Sequence, residues 1–303
     1  MAKNVYLVWL EWPEKCFRVD AQALSYLKTI VPRGSEVIRA KTRTGFMRAL
    51  PRATHVITWY FKSEWFDRAT ALKVLATPSA GQELLPTVAP RGIKIHFGGF
   101  HGQIMAESVI AFALAWCRGF FAARNYSETS GVVPRTWLSD KCSSIAGTKA
   151  VIAGYGKVGR AIGEAFEKFG CTVEGFSRKN IKSLPQAAAD CDWFVMALPS
   201  TTGTDNFLNA KLIAALPRKC VIVNVGRGNS IDEAALIKAL KARRLAGAYL
   251  DVAKVEPLAN LRTFIGAKKD DMPDNLILMP HSAAFTPDYV KMCFRELKDE
   301  GLI

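Results

Sequence analysis

The segment GTKAVIAGYGKVGRAIGEAFEKFG, residues 147–170, decides the fold. Its apolar run Ala150–Ala153 has the composition of a buried parallel strand, and it leads straight into Gly154, Gly156 and Gly159 at G-x-G-x-x-G spacing. Beyond the turn, Val158, Ala161, Ile162, Ala165, Phe166 and Phe169 recur at helical spacing and give one apolar face to lay on a sheet. In such a strand–turn–helix the glycines have separate tasks. The first permits the tight turn, the second lets a pyrophosphate approach the backbone, and the third lets the helix pack close to the strand. The free N–H groups of the helix start, at Lys157 and Val158, then face the phosphates. The expectation is a dinucleotide site at Gly154, Gly156, Lys157, Val158 and Gly159.

Downstream, Thr172–Phe176, Trp193–Ala197, Val221–Val225, Ala248–Val252 and Leu276–Met279 continue the series, nearly all as uninterrupted apolar runs. Six strands of a doubly wound parallel sheet are therefore expected. Upstream, a long apolar helix begins near residue 101 and gives way to a polar, proline-containing stretch at 128–140. The first third alternates more weakly, with strand candidates at Val5–Trp9, His55–Trp59, Leu72–Ala76 and Ile93–His96. A chain of 303 residues exceeds one ordinary domain, so two α/β domains are expected. Residues 287–302 read as a helix that crosses back to the first domain. No repeat of fixed period and no low-complexity segment interrupts this pattern.

The formal net charge is +14, and basic residues gather in RAKTRTGFMR (39–48), SRKNIK (177–182) and KARR (241–244). Such charge concentrates anions: nucleic acid, a phosphorylated cofactor and an anionic substrate all fit it, as does plain solvated surface. No DNA-binding motif and no interleaving of aromatic and basic residues accompanies the charge, so no nucleic-acid partner is expected. Seven widely spread cysteines without a Cys-x-x-Cys pair argue against a disulfide framework or a zinc site, and fit a reducing cytoplasm. The apolar run Val109–Cys117 is far shorter than the roughly 20 residues a membrane span needs. Nothing in the N-terminal residues reads as a cleavable leader. Neither a metal nor a membrane partner is expected.

The second strand of the dinucleotide motif ends in Phe176, Ser177, Arg178 and Lys179. An NAD-selective site wants an Asp or Glu here for the ribose 2′-hydroxyl. Ser177 instead offers a hydroxyl, Arg178 a planar fork and Lys179 a point charge for a 2′-phosphate. NADP is expected in preference to NAD; a merely solvated Arg178 and Lys179 would leave NAD acceptable.

Three further segments place a polar residue at the carboxyl end of an expected strand, where open α/β sheets bind ligands. They are VIVNVGRG (221–228), GAYLDVAKVEPL (247–258) and LILMPHSAA (276–284). The order Asn224, Arg227, Gly228, then Asp251, Glu256, Pro257, then Pro280, His281 resembles the D-isomer-specific 2-hydroxyacid dehydrogenase family, closest to its glyoxylate and hydroxypyruvate reductase branch. Pro199 and Thr204 in LPSTTGT (198–204), SAG at 79–81, and Ala106 with Glu107 resemble further landmarks, so the resemblance covers nearly the whole chain.

The resemblance implies two Rossmann-like domains with the active site in the cleft between them. One is a flavodoxin-like substrate domain (1–99 and 286–303), the other an NAD(P)-binding domain (100–285). It implies Leu198, Pro199, Thr204, Val225 and Asp251 at the cofactor, with Asp251 near the nicotinamide carboxamide. It places the Ala80 and Gly81 N–H groups on a substrate carboxylate, and Trp59 as either a wall of the substrate pocket or a core residue. A homodimer is implied through a helix at about 103–121, whose Val109, Ala111, Phe112, Leu114 and Trp116 supply more apolar surface than one face hides. One departure is that Ser282, Ala283 and Ala284 follow His281 where a glycine-bearing run is commoner.

Reducing a 2-keto acid needs a hydride on the carbonyl carbon and a proton on its oxygen. His281 titrates in the right range to give that proton, with Glu256 favouring the imidazolium and Arg227 holding the carboxylate and polarising the carbonyl. Each alone also reads as structural: a satisfied histidine, a turn residue before Pro257, a strand-end arginine. Together, behind a dinucleotide motif, they point to chemistry. His55, His96 and His101 are taken as structural. The expected function is NAD(P)H-dependent reduction of a small 2-keto acid of glyoxylate or hydroxypyruvate type to the D-2-hydroxy acid. Its rivals are a corepressor-like, nucleotide-sensing binding protein and a dehydrogenase of a phosphorylated hydroxy acid.

Overall fold

The computed structural model describes residues 3–256 and 272–303; Pro257, quoted above, lies outside the described residues. The chain divides into two compact units, Met1–His101 with Phe285–Ile303, and Gly102–Ala284.

The first unit is built on five parallel strands, β1 (Val5–Trp9), β2 (Glu36–Arg39), β3 (His55–Thr58), β4 (Val74–Thr77) and β5 (Lys94–Phe97). Their order, β2-β1-β3-β4-β5, is that of flavodoxin-like sheets. The inner strands β3 and β4 are buried throughout, as helices on both faces of a parallel sheet require. Asp20 accepts the N–H of Ala23 at 2.7 Å and so caps the helix Ala21–Ile30, which packs against the helix Tyr289–Asp299. That last helix is the one expected over 287–302, and β5 reaches it through His96, whose ring nitrogens lie 3.2 Å from Glu296 and 3.0 Å from Glu300. The two carboxylates sit on different nitrogens of one ring, the arrangement of a hydrogen-bonded tie. Edge strand β2 has no counterpart in the sequence reading.

The second unit carries β6 (Lys149–Ala153), β7 (Thr172–Phe176), β8 (Trp193–Met196), β9 (Val221–Asn224), β10 (Gly247–Leu250) and β11 (Leu276–Leu278). All six are parallel, in the order β11-β10-β9-β8-β6-β7. These are the six strands expected from the apolar runs. The chain leaves β6 toward β7 and then returns to the other side of β6 for β8. The carboxyl end of β6 is therefore the switch point at which such sheets take their ligands, and the glycine turn lies there.

The helix expected at about 103–121 is two helices, Gly102–Cys117 and Phe120–Ser130. Gly119 breaks it at φ +67°, and the pair bends by 59°. Val109 and Phe112 are buried inside the unit, beneath Tyr249 and Val223, so less of this helix's apolar surface is left over than its composition implies. Among the described residues no single helix is long and apolar enough to cross a membrane.

Candidate nucleotide and catalytic site

At the glycine turn the structure assigns each glycine its reason. Gly154 has φ +97°, and a Cβ there would lie 2.5 Å from the carbonyl oxygen of Ala197, just past β8. A Cβ at Gly159 would lie 2.2 Å from the carbonyl oxygen of Gly154, so helix Lys157–Lys168 could not seat against β6. Gly156 is different. Its φ of −87° suits any residue, and nothing lies within 4 Å of a Cβ placed there. With no constraint from the chain itself, close approach by an outside group is the physical reason that remains. Gly156 is also the N-cap, and no side chain caps the first turn, whose N–H groups suit a pyrophosphate. The residues present fit a dinucleotide. Tyr155, which the sequence reading passed over, lays its ring where a Cβ on Gly175 would be, 2.3 Å from that position.

The loop after β7 is organised by Asn180, also missed. Its Oδ1 accepts the Ser177 N–H at 2.8 Å and the Ser177 hydroxyl at 3.3 Å, while its Nδ2 donates to the Gly175 carbonyl at 3.1 Å. Ser177, Arg178 and Lys179 are all exposed on that loop. Thr204 closes the loop after β8 by donating to the Pro199 carbonyl at 2.7 Å and accepting the Thr201 N–H at 2.9 Å. Leu198 and Val225 are buried beside it, and a Cβ on Gly226 would lie 2.6 Å from the Leu198 backbone.

Arg227 leaves β9 on a turn held from both sides. Buried Asn224 accepts the Gly226 N–H at 3.0 Å and donates to the Arg227 carbonyl at 3.1 Å, and the Ser230 hydroxyl donates to that same carbonyl at 2.6 Å. A Cβ on Gly228 would lie 1.9 Å from the Ala253 carbonyl carbon, so the Arg227 turn and the loop bearing Glu256 are in direct backbone contact. Glu233 at the start of helix Glu233–Lys241 accepts the Lys254 N–H at 2.7 Å and fixes that loop from the other side.

Glu256 accepts the Ala253 N–H through Oε1 at 3.0 Å and faces His281 Nδ1 through Oε2 at 2.9 Å. The hydrogen bond to Glu256 raises the His281 pKa above its ordinary value, against an opposing contribution from burial. Burial pushes the Glu256 carboxyl up, but the hydrogen bond and charge of His281 outweigh it and leave the carboxyl below its usual range. His281 sits at φ +57°, costing about 1 kcal/mol for a non-glycine residue. Asp251 holds it there: its carbonyl accepts the His281 N–H at 2.7 Å, and its carboxylate accepts those of Ser282 at 2.8 Å and Ala283 at 3.0 Å. Asp251 is only 1% exposed, and burial raises its carboxyl despite those bonds. Ser282, Ala283 and Ala284 have no positive φ, so the missing glycine costs the loop nothing.

In the first unit, Trp59 is buried and donates its indole N–H to the Phe17 carbonyl at 3.1 Å, among the rings of Trp12, Phe17 and Tyr289. The Gly81 N–H goes to the Ser79 hydroxyl at 3.1 Å, inside its own turn with Ala80.

Comparison with known proteins gives a match of residues 110–283, more than half the chain, to the family model "D-isomer specific 2-hydroxyacid dehydrogenase, NAD binding domain". The chain is 28% identical to a glyoxylate/hydroxypyruvate reductase of Arabidopsis thaliana over 235 residues, 74% of this chain and 70% of that protein. It is 30% identical to D-3-phosphoglycerate dehydrogenase of Haemophilus influenzae over 65% of this chain, but this spans only about half the length of that relative. Among solved structures it resembles a D-isomer specific 2-hydroxyacid dehydrogenase of Xanthobacter autotrophicus Py2 in complex with NADPH and MES. There the TM-score is 0.75 at 24% identity, over 99% of this chain and 96% of that one, a likeness of fold.

Proposed function

This chain belongs to the D-isomer-specific 2-hydroxyacid dehydrogenase family, and from that premise we propose that it reduces a small, unphosphorylated 2-keto acid of glyoxylate or hydroxypyruvate type to the D-2-hydroxy acid. The observation that carries the reading is the His281–Glu256 pair at 2.9 Å in the unit that also holds Arg227 and the glycine turn. A nicotinamide dinucleotide, when bound at Gly154–Gly159, supplies the hydride to the carbonyl carbon. Arg227 binds the substrate carboxylate with its planar fork and orients the carbonyl. With Nδ1 turned to Glu256, the Nε2 proton of His281 is the one given to the carbonyl oxygen, leaving neutral imidazole and the alcohol. In oxidation the same nitrogen takes the proton back.

NADP is the proposed cofactor, from Ser177, Arg178 and Lys179 and the lack of a carboxylate at the end of β7. The reductase relatives support the substrate class; a phosphorylated hydroxy acid is the second reading, favoured by the similarity to phosphoglycerate dehydrogenase. Trp59, Ala80 and Gly81 join the proposed substrate contacts.

The test is absorbance at 340 nm with glyoxylate, hydroxypyruvate and a phosphorylated 2-keto acid, each with NADPH and with NADH. The reading requires turnover with the unphosphorylated acids, faster with NADPH, and a loss of about 100- to 10,000-fold in His281→Ala. Tight cofactor binding without turnover would instead favour a regulatory protein. The proposed assembly is a cytoplasmic homodimer through helix Gly102–Cys117, on whose surface Leu114 and Trp116 are only partly buried. Light scattering should give twice the chain mass of 33.3 kDa, and a monomer at working concentration refutes it.

A further inference from the structure

The basic run 39–48 plays no part in the site above, yet the fold gathers it around a cavity. Between edge strand β2 and helix Arg43–Ala49 lies a space of about 500 Å³ lined by Arg39, Lys41, Arg48 and Arg52 over a floor that includes Ile38 and Ala49. That volume is in the range of small-molecule sites, roughly 300–1,000 Å³.

The four cations are of two kinds. Arg39 donates through Nε and Nη2 to Glu11, at 3.3 and 3.0 Å, and Arg52 makes a two-pronged pair with Glu36, at 3.0 and 2.8 Å. These two are compensated and held in place. Lys41 and Arg48 meet no carboxylate among the described residues, so the cavity carries two uncompensated positive charges beside an apolar floor. Gly45 also lines it, inside a helix where glycine costs about 1 kcal/mol relative to alanine, and where it keeps side-chain bulk out of the space.

We propose that this cavity in the first unit binds a small organic phosphate, the phosphate between Lys41 and Arg48 and the carbon body against Ile38 and Ala49. A phosphate monoester carries a charge of about −1.5 to −2 at neutral pH, which matches the two free cations, and its oxygens accept the fork of an arginine and the point charge of a lysine. The proposal goes beyond the reductase reading and does not depend on it.

The test is calorimetric titration of the full chain with phenyl phosphate and with inorganic phosphate at constant ionic strength. Three further proteins are compared: Lys41→Glu/Arg48→Glu, Gly45→Met, and Arg178→Glu/Lys179→Glu. A Cβ at Gly45 meets only the Thr42 hydroxyl, at 3.4 Å, so the backbone accepts a longer side chain there and the charge is untouched. The expected result is that phenyl phosphate binds more tightly than inorganic phosphate. Its Kd should rise at least tenfold in the first two variants and stay unchanged in the third, while the first two keep wild-type affinity for NADPH. No binding to the wild type overturns the proposal. So does equal binding by all four proteins, or a loss confined to Arg178→Glu/Lys179→Glu, which would put the phosphate on the loop after β7.

Discussion

At the level of single residues, Glu256 faces the His281 ring at Nδ1 while Asp251 holds the backbone on either side of that ring's Cα. Arg227, Glu256 and His281 stand out because their types fit a reaction and their places follow apolar strands. Asn224, Asp251 and Glu233 act through backbone N–H and C=O groups of residues up to 32 positions away, and no local pattern announces such a bond. Asp251, expected at the cofactor by resemblance, turns its carboxylate onto the N–H groups of Ser282 and Ala283 and so also positions the loop of His281. The pair it supports sets the pH behaviour. Because Glu256 raises the His281 pKa, the imidazolium persists to higher pH than for a free histidine. Reduction consumes that proton, so its kcat/KM is high below the raised pKa and falls as pH rises through it; oxidation needs the neutral ring and gains over the same interval. Glu256→Gln removes the charge that favours the imidazolium. Profiles measured from pH 5 to 9 should show both limbs displaced to lower pH in that variant, and coincident profiles would mean that Glu256 does not control the proton.

At the level of elements, continuous burial is easy to read and partial burial is not. β8, β9 and β10 are buried at every position, so their sequences are plain apolar runs, whereas β2 is half-buried along its length and reads Glu-Val-Ile-Arg, with a charge at each end. The single long helix failed at Gly119 because helical apolar periodicity continues across the break while the backbone does not. The glycine turn was legible in pattern, and the structure separates its parts into a testable contrast. A methyl at Gly159 collides with the Gly154 carbonyl, so Gly159→Ala should cost about 1–3 kcal/mol in urea unfolding. A methyl at Gly156 touches nothing, so Gly156→Ala should lose only the N-cap preference for glycine over alanine, no more than about 1 kcal/mol. It should nevertheless weaken cofactor binding by about tenfold or more, since the methyl takes space the pyrophosphate needs. If Gly156→Ala bound cofactor normally, the turn would be a packing device and nothing more.

For the whole molecule, net charge and stability are sums over many groups, and the sequence gives only the first sum. A charge of +14 says that anions are attracted, without saying where; the fold shows one cluster after β7 and another around a cavity beside β2. Stability against pH depends on which titrating groups are buried. On the alkaline side, burial raises the Cys293 and Cys220 thiols and the Tyr249 and Tyr289 hydroxyls, so the folded chain cannot follow the unfolded one in losing those protons, and stability falls above about pH 9. On the acid side the first unit contributes through His55. Its ring stacks on Tyr6 at 4.4 Å, its Nδ1 lies 2.8 Å from the Thr54 hydroxyl, and burial, helped by Lys73, lowers its pKa to about 4. The unfolded chain takes up a proton near 6.5 that the folded chain refuses until about 4, so stability present above pH 6.5 drains away as pH falls through that interval. The gap corresponds to about 3 kcal/mol. His55→Phe keeps the ring stack and removes the titration. Urea unfolding at pH 7 and pH 4.5 should show the wild type losing about 2–3 kcal/mol more than the variant. Parallel losses would place the acid sensitivity in the carboxylates instead.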